Sequence, residues 1–189
     1  MRYPYFNFHV FAWVAWLIYW RVAARDTKAT ARRDDAPSRV LYLLPIVFAG
    51  ACFWLPGHFP VLRVNLFPDR NLCAIVGTAL LFLGMFISCW ARVVLGRNWS
   101  NVVTIKVDHE LVQSGPYRWV RHPIYTGLLV AMMGSGLAQD YWIDLAPPLL
   151  IFFSFWFKLS REENWMRSQF GTAYAAYSEH TSRLIPFVF

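Results

Sequence analysis

In Arg121-His122-Pro123-Ile124-Tyr125-Thr126-Gly127-Leu128-Leu129-Val130-Ala131-Met132-Met133-Gly134-Ser135-Gly136-Leu137-Ala138, a basic and aromatic cluster runs directly into an apolar, glycine-spaced stretch. That is the pattern of a helix entering a membrane at its polar end, and a polar cluster at such a boundary is a functional-site candidate. A second cluster, Arg161-Glu162-Glu163, follows another apolar run, Leu149 to Phe157. The two clusters read as two walls of one site at a membrane surface.

Composition supports the membrane reading. Of the 189 residues, 57% are apolar and only 15% charged, and mean hydropathy is positive at +0.35, well outside the soluble norm. The formal charge of +7 comes from basic residues scattered between apolar runs, which indicates membrane topology and not a nucleic-acid-binding stripe. Cys52, Cys73 and Cys89 lie within apolar runs without metal-ligand spacing, and His9, His58, His109 and His180 are dispersed, so no metal site is expected. Phe6 to Trp20 is followed by the charged Arg21 to Asp26 and not by a small-residue cleavage site, so the first apolar segment is expected to stay in the chain.

The apolar runs are Tyr5 to Ala24, Val40 to Leu55, Leu72 to Leu95, Ile124 to Ala138 and Ala146 to Leu159. They predict an all-α integral membrane protein with about five transmembrane helices. The second, fourth and fifth runs fall short of the ~20 residues that cross a bilayer and need flanking aromatic residues or local thinning. Residues 1–71 form a predicted N-terminal two-helix region, and 72–189 a membrane-embedded core. Arg21 to Arg39 carries six Lys and Arg, Arg92 to Arg121 five and Lys158 to Arg183 four, whereas the opposite side has only Arg2, Arg63 and Arg70. By the positive-inside rule both charge clusters face the cytoplasm, and the plasma (inner) membrane is the expected location.

Gly96 to His122 is too long for a simple turn between helices. The β-branched run Val102 to Ile105 and the turn signal Ser114-Gly115-Pro116 predict ordered, partly extended structure there. Pro123 belongs at the first position of the following helix and keeps His122 outside it. The free backbone N–H groups at that entry suit an anionic ligand group, with Arg121 in support. Gly77, Gly84, Ser88 and Ala91 in one span, and Gly127, Ala131, Ser135 and Ala138 in the next, recur at steps that let helices approach closely in lipid. Lys158 and Glu162 stand four apart and share a helix face, whereas Glu163 is expected to point elsewhere.

Taken in order, Asn98-Trp99-Ser100, His109-Glu110-Leu111-Val112, Ser114-Gly115-Pro116-Tyr117, Arg121 to Gly127, Glu162-Glu163, Phe170-Gly171, Tyr174, Tyr177 and Thr181 to Pro186 resemble the isoprenylcysteine carboxyl methyltransferase family. The resemblance covers about the last half of the chain. The shorter signature of Arg-His-Pro, a nearby aromatic and a distal Glu pair is shared with phospholipid N-methyltransferases.

The resemblance implies S-adenosylmethionine as cofactor, bound by the cytoplasmic linker and the C-terminal helix. It assigns Thr104, His109, Glu110, Leu111, Val112, Tyr117, His122, Pro123, Ile124, Tyr125 and Glu162 to cofactor binding. It assigns Lys158, Arg161 and Glu162 to the catalytic group, with Lys158 or Arg161 holding an acceptor carboxylate and Glu162 the cofactor's ammonium. Family members often carry Gln where this chain has Thr104 and Arg where it has Lys158. Lys lacks the bidentate fork of Arg, and Arg161 one turn away is the alternative partner. The implied reaction is carboxyl O-methylation of an isoprenylcysteine-type or other lipid-like or prenylated acceptor among membrane lipids, with no nucleic acid and no metal. Phospholipid N-methylation and a non-catalytic membrane scaffold are the alternatives.

Overall fold

A computed structural model describes residues 4–28, 30–33, 59–62, 64–99, 104–106 and 110–188. The elements within it are α1 (Pro4–Ala23), β1 (Thr30–Arg33), α2 (Arg70–Leu95), β2 (Thr104–Lys106), α3 (Pro123–Gln139), α4 (Ala146–Phe170) and α5 (Thr172–His180). Four apolar helices, α1 to α4, match four of the five expected spans. The remaining one, Val40 to Leu55, lies outside the described residues. Arg70–Asn98 and Trp142–Phe170 are long and apolar enough to cross a membrane, and Phe8–Ala23 is a shorter apolar helix. The chain is thus an all-helical integral membrane protein, apart from an antiparallel ribbon in which Thr30 pairs with Lys106 and Arg33 with Thr104. That ribbon is the extended structure expected of the 96–122 linker.

Local chemistry sets the helix ends. Asp69 caps α2 by accepting from the backbone N–H groups of Asn71 and Leu72. Gly96, at φ 54°, ends α2 in a conformation that disfavours a side chain. Pro123 opens α3. Asp140 ends α3 with φ 60°, and its carboxylate accepts from Phe67 N–H at 3.0 Å, tying down the segment that leads into α2.

The α2–α3 pair is the structural centre. A Cβ placed on Gly84 would collide with the backbone of Gly127 and Ala131, and one on Gly77 with that of Gly134 and Ala138. Conversely, a Cβ on Gly127 would meet Gly84 and Ser88, and one on Gly134 would meet Gly77 and Leu81. The expected small-residue faces are therefore a seam where backbone touches backbone, the usual basis of tight helix packing when lipid removes the hydrophobic driving force. α1 lies across this pair, packing Ala12, Trp13 and Trp16 against Leu81, Met85 and Ala131. α4 joins through Ile151, Phe155 and Leu159, which cluster with Leu184 and with Tyr125 and Leu128 of α3.

After α5 the chain returns to the α3 entry. Arg121 N–H donates to Ser182 O at 2.8 Å, His122 N–H to Arg183 O at 3.2 Å, and Ser182 N–H to Trp119 O at 3.1 Å. The C-terminal strap so formed places residues 182–184 directly behind His122.

Candidate active site

The turn Gly115–Arg118 and the start of α3 carry the first polar cluster, and the last turns of α4 carry the second. The fold brings them together. Tyr125 Oη donates to Glu162 Oε1 at 2.8 Å, and Lys158 Nζ lies 4.0 Å from the same oxygen. Lys158 Nζ also sits 5.3 Å from the centre of the Tyr125 ring. His122 is bracketed by the glutamate pair: Nε2 is 3.2 Å from Glu163 Oε1, and Nδ1 is 3.7 Å from Glu162 Oε2.

Glu163 departs from expectation. It does not point away from the site but is 4% exposed at the middle of an ion-pair hub. Arg121 Nε donates to it at 2.9 Å, Arg183 Nε lies at 3.4 Å, and Arg167 approaches its other oxygen at 3.7 Å. Burial pushes its carboxyl up, but hydrogen bonds and charge from His122 and Arg121 outweigh this and hold it down to about 2. The helix phase between Glu162 and Glu163 is as expected; the strap and the 120–122 turn wrap the second face, which sequence spacing within α4 cannot reveal. The same hub corrects the role expected of Arg121. Its guanidinium is taken up by Glu163 and by the carbonyls of Ser178 and Thr181, so it anchors the strap instead of supporting an anion at the helix entry.

Arg121, His122, Tyr125, Lys158 and Glu162 form the polar end of one cavity of about 500 Å³. Of the residues expected to hold a cofactor, Glu110, Leu111, Val112, Tyr117, His122, Ile124, Tyr125 and Glu162 line it. Pro123 is buried beneath, setting the α3 entry. Thr104 lies in β2, its side chain outside the described residues, and His109 is also outside them. Lys158 lines the cavity; Arg161 is exposed and does not. Tyr117 is also a pillar, its hydroxyl reaching Ala91 O at 3.4 Å and its carbonyl accepting from Tyr177 Oη at 2.7 Å. Burial drives the Tyr117 phenol far above its ordinary range and that of Tyr177 to about 12, so both stay neutral donors.

Several further residues line the cavity without a sequence signal of that role: Trp99 from the linker, Trp165 and Met166 from the end of α4, and Trp13, Trp16 and Trp20 from α1. The α1 tryptophans had a signal, since positions 13, 16 and 20 fall on one helical face. Nothing in their spacing said that the face meets the cavity. The linker is pinned beside them by Arg92, which is 4% exposed, donates to Ala23 O and Gly96 O, and lies 4.8 Å from the Trp99 ring centre.

The cavity is therefore amphipathic. One end gathers carboxylates, a lysine, an imidazole and a tyrosine; the other, between α1, α3 and α4, is walled by indole and aliphatic groups. Such a site suits a charged small molecule and a lipid-tailed partner meeting at the boundary.

Comparison with known proteins matches this arrangement to a family. Residues 72–173 match the phospholipid methyltransferase family. A protein-S-isoprenylcysteine O-methyltransferase of Saccharomyces cerevisiae is 30% identical over 135 residues, covering 65% of this chain and 56% of that one. A probable protein-S-isoprenylcysteine O-methyltransferase of Oryza sativa subsp. indica is 29% identical over 129 residues, covering 65% and 68%. A solved structure of a eukaryotic intramembrane Ras methyltransferase, isoprenylcysteine carboxyl methyltransferase, superposes with a TM-score of 0.58 at 26% identity, over 82% of this chain and 54% of that one. The chain spans little more than half the length of the yeast relative and of that structure.

Proposed function

The chain belongs to the phospholipid methyltransferase family and is similar to isoprenylcysteine O-methyltransferases, and from that premise we propose that it methylates the carboxylate of an isoprenylcysteine-type acceptor. The single observation that carries this choice is Lys158, a cation set on the cavity wall between the carboxylate cluster and the apolar arm.

The donor set fits S-adenosylmethionine. Glu162, held by Tyr125 and beside His122, offers a negative charge to an ammonium group, and Trp99 and Tyr117 offer aromatic surface to an adenine or a sulfonium. When bound, that cofactor supplies an electrophilic methyl group. An acceptor carboxylate, with a pKa of about 3.3–3.7, is already ionised at neutral pH, so its oxygen attacks without prior loss of a proton. The residues need supply no base. Lys158 orients the carboxylate, Tyr125 and His122 fix Glu162, and the apolar walls strip water from the anion, so that proximity and desolvation carry the acceleration.

An amine acceptor makes opposite demands. A protonated phosphatidylethanolamine headgroup must lose a proton, and the Lys158 cation opposes its approach. A scaffold, in turn, has no use for a charged cavity leading into an apolar one. We place the site on the cytoplasmic face of the plasma (inner) membrane, in keeping with the basic asymmetry of the loops. The test supplies purified chain with methyl-labelled S-adenosylmethionine and either a farnesylated cysteine derivative or phosphatidylethanolamine. A base-labile methyl ester on the former is the expected product; base-stable label on the latter alone refutes the reading.

A further inference from the structure

At mid-length α1 is fixed on the α2–α3 pair, where Trp13 Nε1 donates to Ser135 Oγ and Trp16 Nε1 to Ser88 Oγ, each at 3.0 Å. Its C-terminal end is held by a different device. Ala23 closes α1 and Gly96 caps α2, and the last carbonyls of a helix lack intrahelical donors and carry the negative end of its dipole. One guanidinium serves both ends: Arg92 Nη2 donates to Ala23 O, and Nη1 to Gly96 O at 2.6 Å. Its third partner is the ring of Trp99, whose centre lies 4.8 Å away. The charge is 4% exposed, so a donor that lost its carbonyl would find no water in its place. Arginine can reach two carbonyls on separate helices because its N–H groups form a rigid fork, which lysine lacks.

Trp99 is where this junction meets the cavity. It lines the wall beside Trp20 of α1, which meets it edge-on at 5.8 Å, and it packs with Ala91, Tyr117 and Ile124. Beyond Ala23 the chain keeps to the same linker. Lys28 N–H donates to Arg97 O at 2.9 Å, Arg97 Nε lies 2.9 Å from Asp26 Oδ1, and Lys28 Nζ lies 3.6 Å from Oε1 of Glu110, itself a lining residue. Both ion pairs include exposed partners and contribute little energy. They trace the path of residues 23–28 along the linker, and the buried Arg92 is the tie with weight behind it.

We propose that Arg92 is a positioning residue for the cofactor, holding Trp99 in the cavity wall and joining it to the end of α1, so that S-adenosylmethionine binding and the docking of α1 are coupled through one side chain. The inference rests on the S-adenosylmethionine reading above. Arg92 does not line the cavity; it acts through Trp99. By linkage, the affinity that a docked α1 end lends to the cofactor is returned by the cofactor as stability of that end. The end of α1, outside the 72–189 core expected from the sequence, thereby belongs to the donor site.

The probe is S-adenosylhomocysteine, titrated into the full chain in detergent, with amide exchange of residues 23–28 followed in parallel and no turnover required. Arg92→Met keeps bulk without N–H donors and should weaken binding on the order of tenfold. Arg92→Lys, which keeps the charge but not the fork, guards against a folding defect and should fall between that variant and the wild type. Trp99→Ala should also weaken binding, and adding Arg92→Met to it should cost little more, because both act on one contact. In the wild type the ligand should slow exchange across residues 23–28; at saturating ligand this slowing should be lost in Arg92→Met and reduced in Arg92→Lys, which an arginine of purely architectural role would not produce. Wild-type affinity in both Arg92 variants, losses in Arg92→Met and Trp99→Ala that simply add, or undiminished slowing in both Arg92 variants overturns the proposal while leaving the cofactor reading intact. A wild type that binds no S-adenosylhomocysteine removes the cofactor reading and the proposal with it.

Discussion

Tyr125 donates its hydroxyl to Glu162 at 2.8 Å, joining the first turn of α3 to the far half of α4 across 37 residues. The bond orients the Glu162 carboxylate toward the cavity. Tyr125→Phe and Glu162→Gln should each weaken binding of S-adenosylhomocysteine about ten- to a hundredfold, the scale of a lost charged hydrogen bond of about 1.5–3 kcal/mol. Isothermal calorimetry on folded variants measures this, and wild-type affinity in both would place the donor elsewhere.

Lys158 discriminates between acceptors. Lys158→Ala should raise the Michaelis constant for a farnesylated cysteine derivative or lower turnover, with donor binding nearly intact, while Lys158→Arg should retain activity or improve it through bidentate geometry. Steady-state kinetics on the two variants is the check. Full ester formation by Lys158→Ala would remove this residue from the site.

Glu163 makes a different prediction, because its charge is bound up in the strap. Its carboxyl is held at about 2 against an ordinary 4.5. A depressed carboxylate contributes stability that is complete above about pH 4.5 and disappears as pH falls toward 2. Thermal unfolding in detergent should show the wild type losing stability over that window, and Glu163→Gln should be destabilised at neutral pH and flatter within it. The same acid dependence in Glu163→Gln would assign the transition to another group.

Topology gives a fourth prediction. Cysteines substituted for Arg32 and Lys106, which lie on the two paired strands of one ribbon, should react with a membrane-impermeant thiol reagent only from the cytoplasmic side of sealed cells. One substituted for Asp69 should react only from outside. Labelling of position 106 from outside would invert the orientation inferred from the basic loops.

Much of this architecture was legible from residue order. Pro123 located the α3 entry to within a residue because its ring restricts the backbone locally, and Gly77, Gly84 and Gly127 of the seam were recognisable because small residues at helical spacing have few other uses in lipid, whereas Gly134 was passed over for its neighbour Ser135. The meeting of the two polar clusters also followed, since both end apolar runs on one side. Glu163 and Arg121 were misjudged for a common reason: they pair with each other across 42 residues, and their further partners His122, Ser178, Thr181 and Arg183 come from outside the body of α4, so that of the whole hub helical periodicity encodes only the Glu163–Arg167 pair. The α1 tryptophans were visible as a stripe, but their hydrogen bonds to Ser88 and Ser135 depend on how α1 crosses the α2–α3 pair. Arg161 shares a sequence neighbourhood with the site but not its helix face.

The glycine seam also limits how the molecule moves. With backbone against backbone at Gly77, Gly84, Gly127 and Gly134, α2 and α3 cannot slide past one another or part without opening voids that nothing in the seam can fill. They form a fixed frame, and His122 and Tyr125 ride on it. Among the described residues, a lipid-borne molecule therefore reaches the site past α1 or α4 and not through the α2–α3 seam. Amide exchange should be slowest in the frame and faster along those two flanking helices.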